Sequence, residues 1–370
     1  MKLFSCDHCQ QTLYFENNRC VYCGEAQGYS PDLARLVTLR QASPDTPGIY
    51  EVPRGKDAPA RVRLCRNALD HDACNWLVTA DDTAEYCRSC ELSEVIPDLS
   101  IASNEAAWRR IEAAKRRLLY TLYALRLPVQ TRAENPAHGL AFRFLKGSED
   151  APVMTGHDDG IITLNVDEAD FAFRENMREK MGEGYRTVLG HLRHEIGHYY
   201  WGLLVADSNL LGAFRGCFGD ERADYEQALE RHYEAGPPLN WGESFISAYA
   251  SMHPWEDWAE TWAHYLHMVD TLETAKSHGL TVRAPAAERA GERIATDRLP
   301  LSDFDALSAS WNAVTLALNS LNRSMGMKDA YPFVLTPPVL DKLRFVHRLV
   351  QAPVLQEKGD RFILANDAAA

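Results

Sequence analysis

The cysteines place the strongest constraint on how this chain can fold, because eight of the nine lie before residue 91. They form two clusters of four, namely Cys6, Cys9, Cys20 and Cys23, and then Cys65, Cys74, Cys87 and Cys90. Two residues between paired cysteines let both thiolates reach one ion from a tight turn, and four thiolates suit tetrahedral zinc. Since each cluster already has four sulfurs, His8 and His71 are expected to be surface residues rather than replacement ligands. We predict two closed, structural zinc sites, whose metal contributes about 10 kcal/mol or more to folding.

The expected location of the chain follows from its cysteines and its first residues. Thiols stay reduced in the cytoplasm, where clustered cysteines act as metal ligands rather than as disulfides. The chain enters its first cysteine motif at Cys6, which leaves no room for the apolar region of a signal peptide. No apolar run approaches the roughly 18 residues that a membrane-spanning helix needs. We therefore expect a cytoplasmic protein with no membrane partner.

The formal net charge of -13 argues against a nucleic-acid partner, although zinc ribbons often raise that idea. A phosphate backbone repels such a chain unless a local basic stripe compensates for the charge. The densest basic cluster comprises Arg109, Arg110 and residues 115–117, which fall in a helical pattern and are predicted to form a solvated face. No nucleic-acid binding is expected.

From residue 104 onward the spacing of apolar residues is typical of helices. Ser103 or Asn104 can cap a first helix, which ends before Pro128. β-Branched and apolar residues bounded by glycine and aspartate predict two strands over 140–145 and 160–166. Further helices are predicted over 183–204, 221–233, 255–278, 303–321 and 338–350. These patterns predict an α+β fold with a small sheet and mostly helices.

The segment His194-Glu195-Ile196-Gly197-His198 has the spacing of a catalytic zinc site on a helix. Its two histidines are four residues apart, so both rings project from one face of the helix. Neutral imidazoles bind zinc, zinc acidifies a bound water, and a neighbouring carboxylate removes the proton. Gly197 is expected to leave room beside the metal. The motif predicts a zinc ion with Glu195 as the general base.

A two-histidine site needs a third protein ligand, and a later helical segment offers Glu256 and Glu260. These residues are four apart, so one carboxylate can bind zinc while the other accepts a hydrogen bond from a zinc-bound histidine. Glu256 is favoured as the ligand, but the residues alone leave the reverse assignment open. The acidic helix start over 220–224 offers rival ligands that also suit helix capping. His264 and His267 are further candidates.

The pattern Glu-x-Trp-Ala-Glu-x-Trp, which begins at Glu256, resembles the third-ligand helix of gluzincin metallopeptidases, particularly those similar to anthrax lethal factor. In that group the first Glu binds zinc and the acid four residues later supports a histidine, which implies these roles for Glu256 and Glu260. A tyrosine seven residues before the ligand assists catalysis there. Tyr249 has this spacing, and Tyr199 and Tyr200 are rivals for the same role.

Longer segments over 191–201, 218–225 and 253–267 resemble the bacterial zinc-binding metallopeptidases that carry an N-terminal zinc ribbon. The resemblance spans nearly the whole chain, including both cysteine clusters. It implies a gluzincin-like metallopeptidase domain, mostly helical, that follows the zinc-ribbon module. It also implies that the strand over 161–166 is the sheet edge along which an extended peptide substrate lies.

Together these features predict a zinc-ribbon module over 1–100, a metallopeptidase domain over 101–352 and a C-terminal tail over 353–370. The predicted metals are two structural zinc ions and one catalytic zinc ion. The lone Cys217 is expected to be a buried structural cysteine. The expected partner is a peptide or protein substrate, and the ribbons offer a further surface for protein docking.

The predicted function is hydrolysis of peptide bonds by a zinc-activated water. Zinc is assigned to His194, His198 and Glu256, the general base to Glu195, and stabilisation of the oxyanion to Tyr249. Two alternatives remain: a zinc hydrolase that acts on a non-peptide amide or ester, and a non-catalytic protein-binding module that contains zinc. The intact Glu195 argues against the second alternative, since a pure scaffold needs no base beside the metal.

Overall fold

The computed structural model describes residues 1–54, 57–148, 150–181, 187–282, 294–295, 302–352, 354–358 and 361–364. Within this part the helices are α1 (Arg66–His71), α2 (Ala102–Ala124), α3 (Phe171–Met181), α4 (Val188–Leu204), α5 (Leu211–Phe218), α6 (Tyr225–Ala235), α7 (Pro254–Ser277), α8 (Phe304–Ser324) and α9 (Pro337–Gln351). The strands are β1 (Phe4–Ser5), β2 (Thr12–Leu13), β3 (Gln27–Ser30), β4 (Arg35–Thr38), β5 (Arg40–Gln41), β6 (Tyr50–Arg54), β7 (Asp57–Leu64), β8 (Leu77–Thr79), β9 (Ser93–Val95), β10 (Ala141–Leu145), β11 (Gly156–Asp158), β12 (Ile161–Asn165), β13 (Thr281–Val282), β14 (Ile294–Ala295), β15 (Val354–Lys358) and β16 (Arg361–Leu364). The α+β fold class is confirmed.

The chain divides into two compact units, each of which is made of two separate stretches of the sequence. The first comprises Met1–Thr155 and Thr163–Asp170, and the second comprises Gly156–Ile162 and Phe171–Ala370. The first unit contains both cysteine clusters, and the second contains the helix with the two motif histidines. The division into 1–100, 101–352 and 353–370 stays a prediction.

Short antiparallel strands build the cysteine-rich part of the first unit. Strand β1 pairs with β2, β3 pairs with β4, and β5 to β8 form a four-stranded sheet in chain order. A small cluster of buried apolar residues lies among these strands, comprising Val37, Leu39, Val52, Val62 and Leu77. In small modules of this kind, bound metal contributes much of the folding free energy.

An aromatic cluster packs α2 against the cysteine-rich strands within the first unit. The ring of Phe15 lies 4.9 Å from that of Tyr29 and 5.3 Å from that of Tyr120, measured between centroids. The ring of Trp76 lies 5.0 Å from that of Tyr29. Because Tyr120 belongs to α2, the strands and this helix share one packed interior.

Helix α2 begins earlier than its sequence suggests. Its N-cap is Ile101, without a side-chain cap, so the prediction that Ser103 or Asn104 caps the helix is wrong. The side chain of Asn104 instead donates from Nδ2 to the carbonyl of Asp98 at 3.2 Å. Because the side-chain amide of Asn104 makes this hydrogen bond, it does not cap the helix.

Two basic residues of α2 are buried, which contradicts the prediction that the cluster over 115–117 forms a solvated face. The side chain of Lys115 is 0% exposed and its Nζ lies 2.9 Å from a carboxylate oxygen of Glu112. Arg116 is also buried, and its guanidinium donates to the carbonyl of Ala73. Burial of a charge is tolerated only with such partners.

The two strands predicted after α2 are confirmed as β10 and β12, but one expectation about their sheet is wrong. The hydrogen-bonded strand order is β11-β12-β10-β9, so β12 is an inner strand rather than the edge. The three-residue β11 takes the edge, and the turn after it uses positive φ angles at Asp159 (46°) and Gly160 (87°). A strand of three residues is too short to show alternation, so the sequence pattern missed it.

Helices α4 and α7 form the centre of the second unit and approach each other closely at Gly197. A Cβ atom at this position would lie 3.0 Å from the Cα of Ala259 and 3.1 Å from the Cβ of Trp262. The carbonyl of Gly197 accepts a hydrogen bond of 2.8 Å from the indole of Trp258. The glycine therefore serves helix packing, and the expectation that it leaves room beside the metal is wrong.

A buried ion pair joins α9 to α7. Lys342 Nζ lies 2.6 Å from Asp257 Oδ2 and donates to the carbonyl of Ser244 at 2.7 Å. Asp257 follows Glu256 directly, so this pair holds the first turn of α7. Burial raises the pKa of Asp257 to about 7, although Lys342 opposes the shift.

The helices predicted over 255–278, 303–321 and 338–350 are confirmed as α7, α8 and α9. The helix predicted over 221–233 begins later, at Tyr225, because Asp224 caps it through a 3.0 Å hydrogen bond from the N–H of Gln227. The first residues of the helix predicted over 183–204 lie outside the described part, and α4 confirms the remainder.

The region predicted as a C-terminal tail contains an antiparallel pair, β15 with β16. The other residues after 352 lie outside the described part of the chain. In the described ranges, no helix has both the length and the apolar character that crossing a membrane requires.

Candidate metal centres

The first cysteine cluster brings its four sulfur atoms together at the ends of two tight turns. Cys6 Sγ lies 3.7 Å from Cys23 Sγ, and Cys9 Sγ lies 3.6 Å from Cys20 Sγ. Tetrahedral zinc with Zn–S bonds of about 2.3 Å requires sulfur-to-sulfur distances of about 3.8 Å. The side-chain amide of Gln27 donates to Cys6 Sγ at 3.5 Å, which stabilises the thiolate form.

The second cluster is fully buried and has a charged neighbour. Cys74 Sγ lies 3.6 Å from Cys87 Sγ, and the N–H of Cys87 donates to Cys65 Sγ at 3.4 Å. Burial lowers the pKa of Arg116, but the charge of Cys74 and further acidic groups outweigh this effect and raise the pKa. Four thiolates around one Zn²⁺ carry a net negative charge, which this guanidinium offsets in the interior.

Helices α4 and α7 bring the predicted catalytic ligands together in the second unit. His194 Nε2 lies 3.2 Å from His198 Nε2, and Glu256 Oε2 lies 2.9 Å from His194 Nε2. Glu256 Oε1 lies 3.5 Å from His198 Nε2. Tetrahedral zinc with bonds of about 2.0–2.1 Å has ligand-to-ligand distances of about 3.3–3.4 Å. The three donor atoms therefore have the chemistry and the spacing that zinc requires.

Glu256 shows a second sign that a cation fits this position. The residue is 2% exposed, and its Oε2 has no hydrogen-bond partner among the described residues. His194 Nε2 approaches Oε2 to 2.9 Å, but the contact is not aligned as a hydrogen bond. Burial raises the pKa of Glu256, yet His198 and His194 outweigh burial and lower it well below its usual range. A buried carboxylate is costly unless cationic groups or a metal ion compensate for its charge.

Glu260 lies on the opposite side of the first histidine. Its Oε1 accepts a hydrogen bond of 2.7 Å from His194 Nδ1, and its Oε2 accepts one of 2.7 Å from the hydroxyl of Ser247. When Nδ1 carries the single proton of the neutral ring, Nε2 is the nitrogen left to bind a metal on the side of His198 and Glu256. Carboxylates commonly orient metal-binding histidines through such a hydrogen bond.

Glu195 follows His194 on α4 and is 8% exposed. Burial raises the pKa of Glu195 above its usual range, and the two histidines oppose that shift. A carboxyl group in such an environment is a stronger base than an exposed one. The position therefore combines a buried proton acceptor with the two imidazoles.

Tyr249 lies beside the first histidine, and a second tyrosine contacts the third predicted ligand. The ring centroids of Tyr249 and His194 are 6.0 Å apart. The Tyr225 hydroxyl donates to Glu256 Oε1 at 2.9 Å. The rival residues Tyr199 and Tyr200 are buried on α4, where their rings pack against each other at 5.1 Å.

The rival ligands do not join the described cluster of His194, His198 and Glu256. The acidic helix start instead forms local contacts: Asp220 pairs with Arg222, Glu221 pairs with Arg215, and Asp224 caps α6. On α7, the two further histidines form hydrogen bonds elsewhere. His264 Nδ1 lies 2.7 Å from the hydroxyl of Tyr331, and His267 Nδ1 lies 2.6 Å from a guanidinium nitrogen of Arg193.

Cys217 is the remaining cysteine, and it belongs to α5 rather than to a metal cluster. Its side chain is half-buried, and burial raises the pKa of its thiol to about 11. A thiol with a raised pKa is a poor nucleophile and a poor metal ligand. The expectation of a buried cysteine is therefore wrong, because the side chain is only half-buried, and its structural role stays a prediction.

Several residues around the site were not predicted from the sequence. Trp255 packs on the ring of His198 with a centroid distance of 4.0 Å, and His157 stacks on the same ring at 6.2 Å. Ser247 and Tyr225 contact the two glutamates of α7, as described above. Among these, Tyr225 and Trp255 lay in segments that carried the family resemblance. The other two, His157 and Ser247, had no signal in the sequence, because tertiary packing alone brings them to the site.

We expect elemental analysis of the purified chain to find about three zinc ions per molecule. Two closed sulfur sites should resist mild chelation, because all four positions around each ion belong to the protein. The ion held by two histidines and one glutamate should be removable, since that site has an open position. A folded chain with a single zinc ion would contradict the assignment of both cysteine clusters.

Comparison with known proteins agrees with this geometry. Residues 104–349 match the family described as "Putative zinc-binding metallo-peptidase", and residues 3–101 match a zinc-ribbon domain. An uncharacterized protein of Mycobacterium tuberculosis (strain ATCC 25618 / H37Rv) is 44% identical over 351 residues, which cover 95% of each chain. An uncharacterized protein of Mycobacterium bovis has the same identity and coverage. No solved structure matches the chain. With a match that spans most of its length, this chain belongs to that family of zinc-binding metallo-peptidases, and a zinc-ribbon domain precedes the family region.

Proposed function

We propose that this protein is a zinc-dependent peptidase that hydrolyses peptide bonds with an activated water molecule. The observation that carries the proposal is the convergence of His194, His198 and Glu256 on one point, next to the buried Glu195. Membership of a metallo-peptidase family supports a peptide or protein as the substrate. When bound, zinc supplies Lewis acidity at the substrate carbonyl and lowers the pKa of a water molecule.

Each residue of the proposed site has a distinct role in the reaction. His194, His198 and Glu256 hold the metal, and Glu195 accepts the proton of the attacking water and passes it to the leaving amine. The carboxylate of Glu260 keeps the first histidine in the tautomer that leaves Nε2 free.

Tyr249 is proposed to donate its hydroxyl proton to the oxyanion that develops in the transition state. Its ring lies beside His194, at the edge of the ligand cluster. A donor of this kind contributes more in the transition state than in the ground state, and therefore raises turnover rather than affinity.

The cysteine clusters support a location and a metal content. We propose that the protein works in the cytoplasm, where its thiols stay reduced and available for zinc. Each ribbon site is proposed to hold one structural zinc ion, so that the loaded chain carries three. Docking of a protein through the ribbons stays an expectation from the sequence.

The test is cleavage of a peptide library by the full chain after loading with zinc, read by mass spectrometry. We expect cuts at a defined set of sites, loss of the cuts after mild chelation, and recovery when zinc is restored. Hydrolysis of small non-peptide amides or esters, without peptide cleavage, would favour the other class of zinc hydrolase. Loaded protein that cleaves neither class of substrate would refute the proposed enzymatic function.

A further inference from the structure

We propose that Tyr225 is a positioning residue of the histidine–glutamate centre, because its hydroxyl holds one oxygen of Glu256 and leaves the other to bind zinc. The inference rests on the proposed zinc centre, but it does not require that the substrate is a peptide. It assigns a role to the start of α6, which lies 31 positions before the third ligand.

The two oxygens of Glu256 have different surroundings. Oε1 accepts a hydrogen bond of 2.9 Å from the Tyr225 hydroxyl and lies 3.5 Å from His198 Nε2. Oε2 has no hydrogen-bond partner among the described residues and lies 2.9 Å from His194 Nε2. A hydrogen bond to Oε1 fixes the carboxylate plane and weakens that oxygen as a ligand. The geometry therefore favours a one-oxygen ligand through Oε2.

The main chain around Tyr225 is fixed relative to α7. Tyr225 is the first residue of α6 and follows the capping Asp224. The N-cap of α7 is His253, whose Nδ1 accepts from the N–H of Trp255 at 3.1 Å. Its other ring nitrogen must then carry a proton, which it donates to the carbonyl of Ala223 at 3.0 Å. One imidazole thus joins the starts of the two helices that carry the tyrosine and the glutamate.

The Tyr225 hydroxyl is committed to the glutamate. A phenol has one proton, and Tyr225 donates its proton to Glu256 Oε1. That proton is therefore not available to an oxyanion, so Tyr225 serves the metal ligand, whereas the proposed oxyanion donor is Tyr249.

The experiment compares Tyr225→Phe and Tyr249→Phe in the full chain, with Tyr265→Phe as the matched control. Tyr265 is also a buried tyrosine of the second unit, and its hydroxyl lies 3.1 Å from Nδ1 of His347, which is not one of the predicted metal ligands. After removal of the labile zinc, affinity is measured by titration with zinc against a chromophoric chelator. We expect Tyr225→Phe to weaken zinc binding by about 10- to 100-fold, as loss of an outer partner of a metal ligand typically does. Tyr249→Phe and Tyr265→Phe should stay within about threefold of the unaltered chain.

A second readout separates positioning from a general loss of stability. Cobalt added after mild chelation enters only the labile site, and its visible absorption reports the number of ligand atoms. We expect Tyr225→Phe to change this spectrum, because both carboxylate oxygens become available, whereas Tyr265→Phe should leave it unchanged. Equal zinc affinity and an unaltered cobalt spectrum in Tyr225→Phe would overturn the proposal. These measurements need no substrate, so they stand even when the peptide library remains uncut.

Discussion

Replacement of Glu195 by glutamine is expected to leave the labile zinc in place and to lower peptide turnover by about 100- to 10,000-fold. Glu195 is not one of the three residues whose donor atoms converge on the metal position, so the zinc content should not change. Its carboxylate is the buried proton acceptor next to His194, and an amide of the same shape cannot take a proton. The measurement is turnover of a peptide identified from the library, together with zinc content of the same sample.

The matched control for this substitution is Glu234→Gln, which makes the same chemical change at an exposed position of α6. We expect the control to retain full turnover. If Glu195→Gln kept the turnover of the unaltered chain, its role as general base would be wrong. If it lost zinc as well as turnover, Glu195 would be supporting the metal rather than activating water.

Replacement of Glu256 by alanine is expected to abolish retention of the labile zinc, whereas Glu260→Ala should only weaken it by about 10- to 100-fold. Glu256 Oε2 lies 2.9 Å from the Nε2 of His194, on the side where the donor atoms converge. Glu260 contacts the Nδ1 of the same ring, on the far side from that point. Zinc content after dialysis against a mild chelator, followed by titration with zinc, separates the two effects.

Ser247→Ala provides an internal scale for this comparison, because it removes only the 2.7 Å hydrogen bond to Glu260 Oε2. Its effect on zinc affinity should be smaller than that of Glu260→Ala. Full metal retention in Glu256→Ala, with loss in Glu260→Ala, would reverse the assignment of ligand and support. That reversal was the alternative that the four-residue spacing left open.

The sequence could predict those parts of the site that are determined by the geometry of a single helix. Two histidines four residues apart share a helix face whatever the remainder of the fold does, and the same holds for the pair Glu256 and Glu260. Placing both pairs on two packed helices was sufficient to indicate a zinc site. The structure adds that each member of the second pair faces a different nitrogen of His194.

The parts that the sequence could not predict depend on which chain segments meet. Tyr225 reaches Glu256 across 31 positions, and no local pattern encodes a contact of that separation. Lys115 and Arg116 had the composition of a solvated face, yet tertiary contacts of Lys115 with Ser93 and of Arg116 with Ala73 make their burial tolerable. Helix capping at α2 failed for a local reason, because the carbonyl of Asp98 accepts the side-chain hydrogen bond of Asn104.

The close approach of α4 and α7 at Gly197 implies that the two kinds of metal site bind zinc at different stages of folding. The hydrogen bond from Trp258 and the tight backbone contact hold α4 against α7 through atoms that bind no metal. The histidine–glutamate centre therefore keeps its shape before zinc arrives, and zinc can enter it after the polypeptide is complete. Each sulfur cluster brings four thiols together within 4.8 Å, an arrangement that metal binding stabilises, so we expect these clusters to acquire zinc while their module forms. A cell short of zinc would then accumulate folded but inactive protein first, and unfolded protein only under deeper starvation.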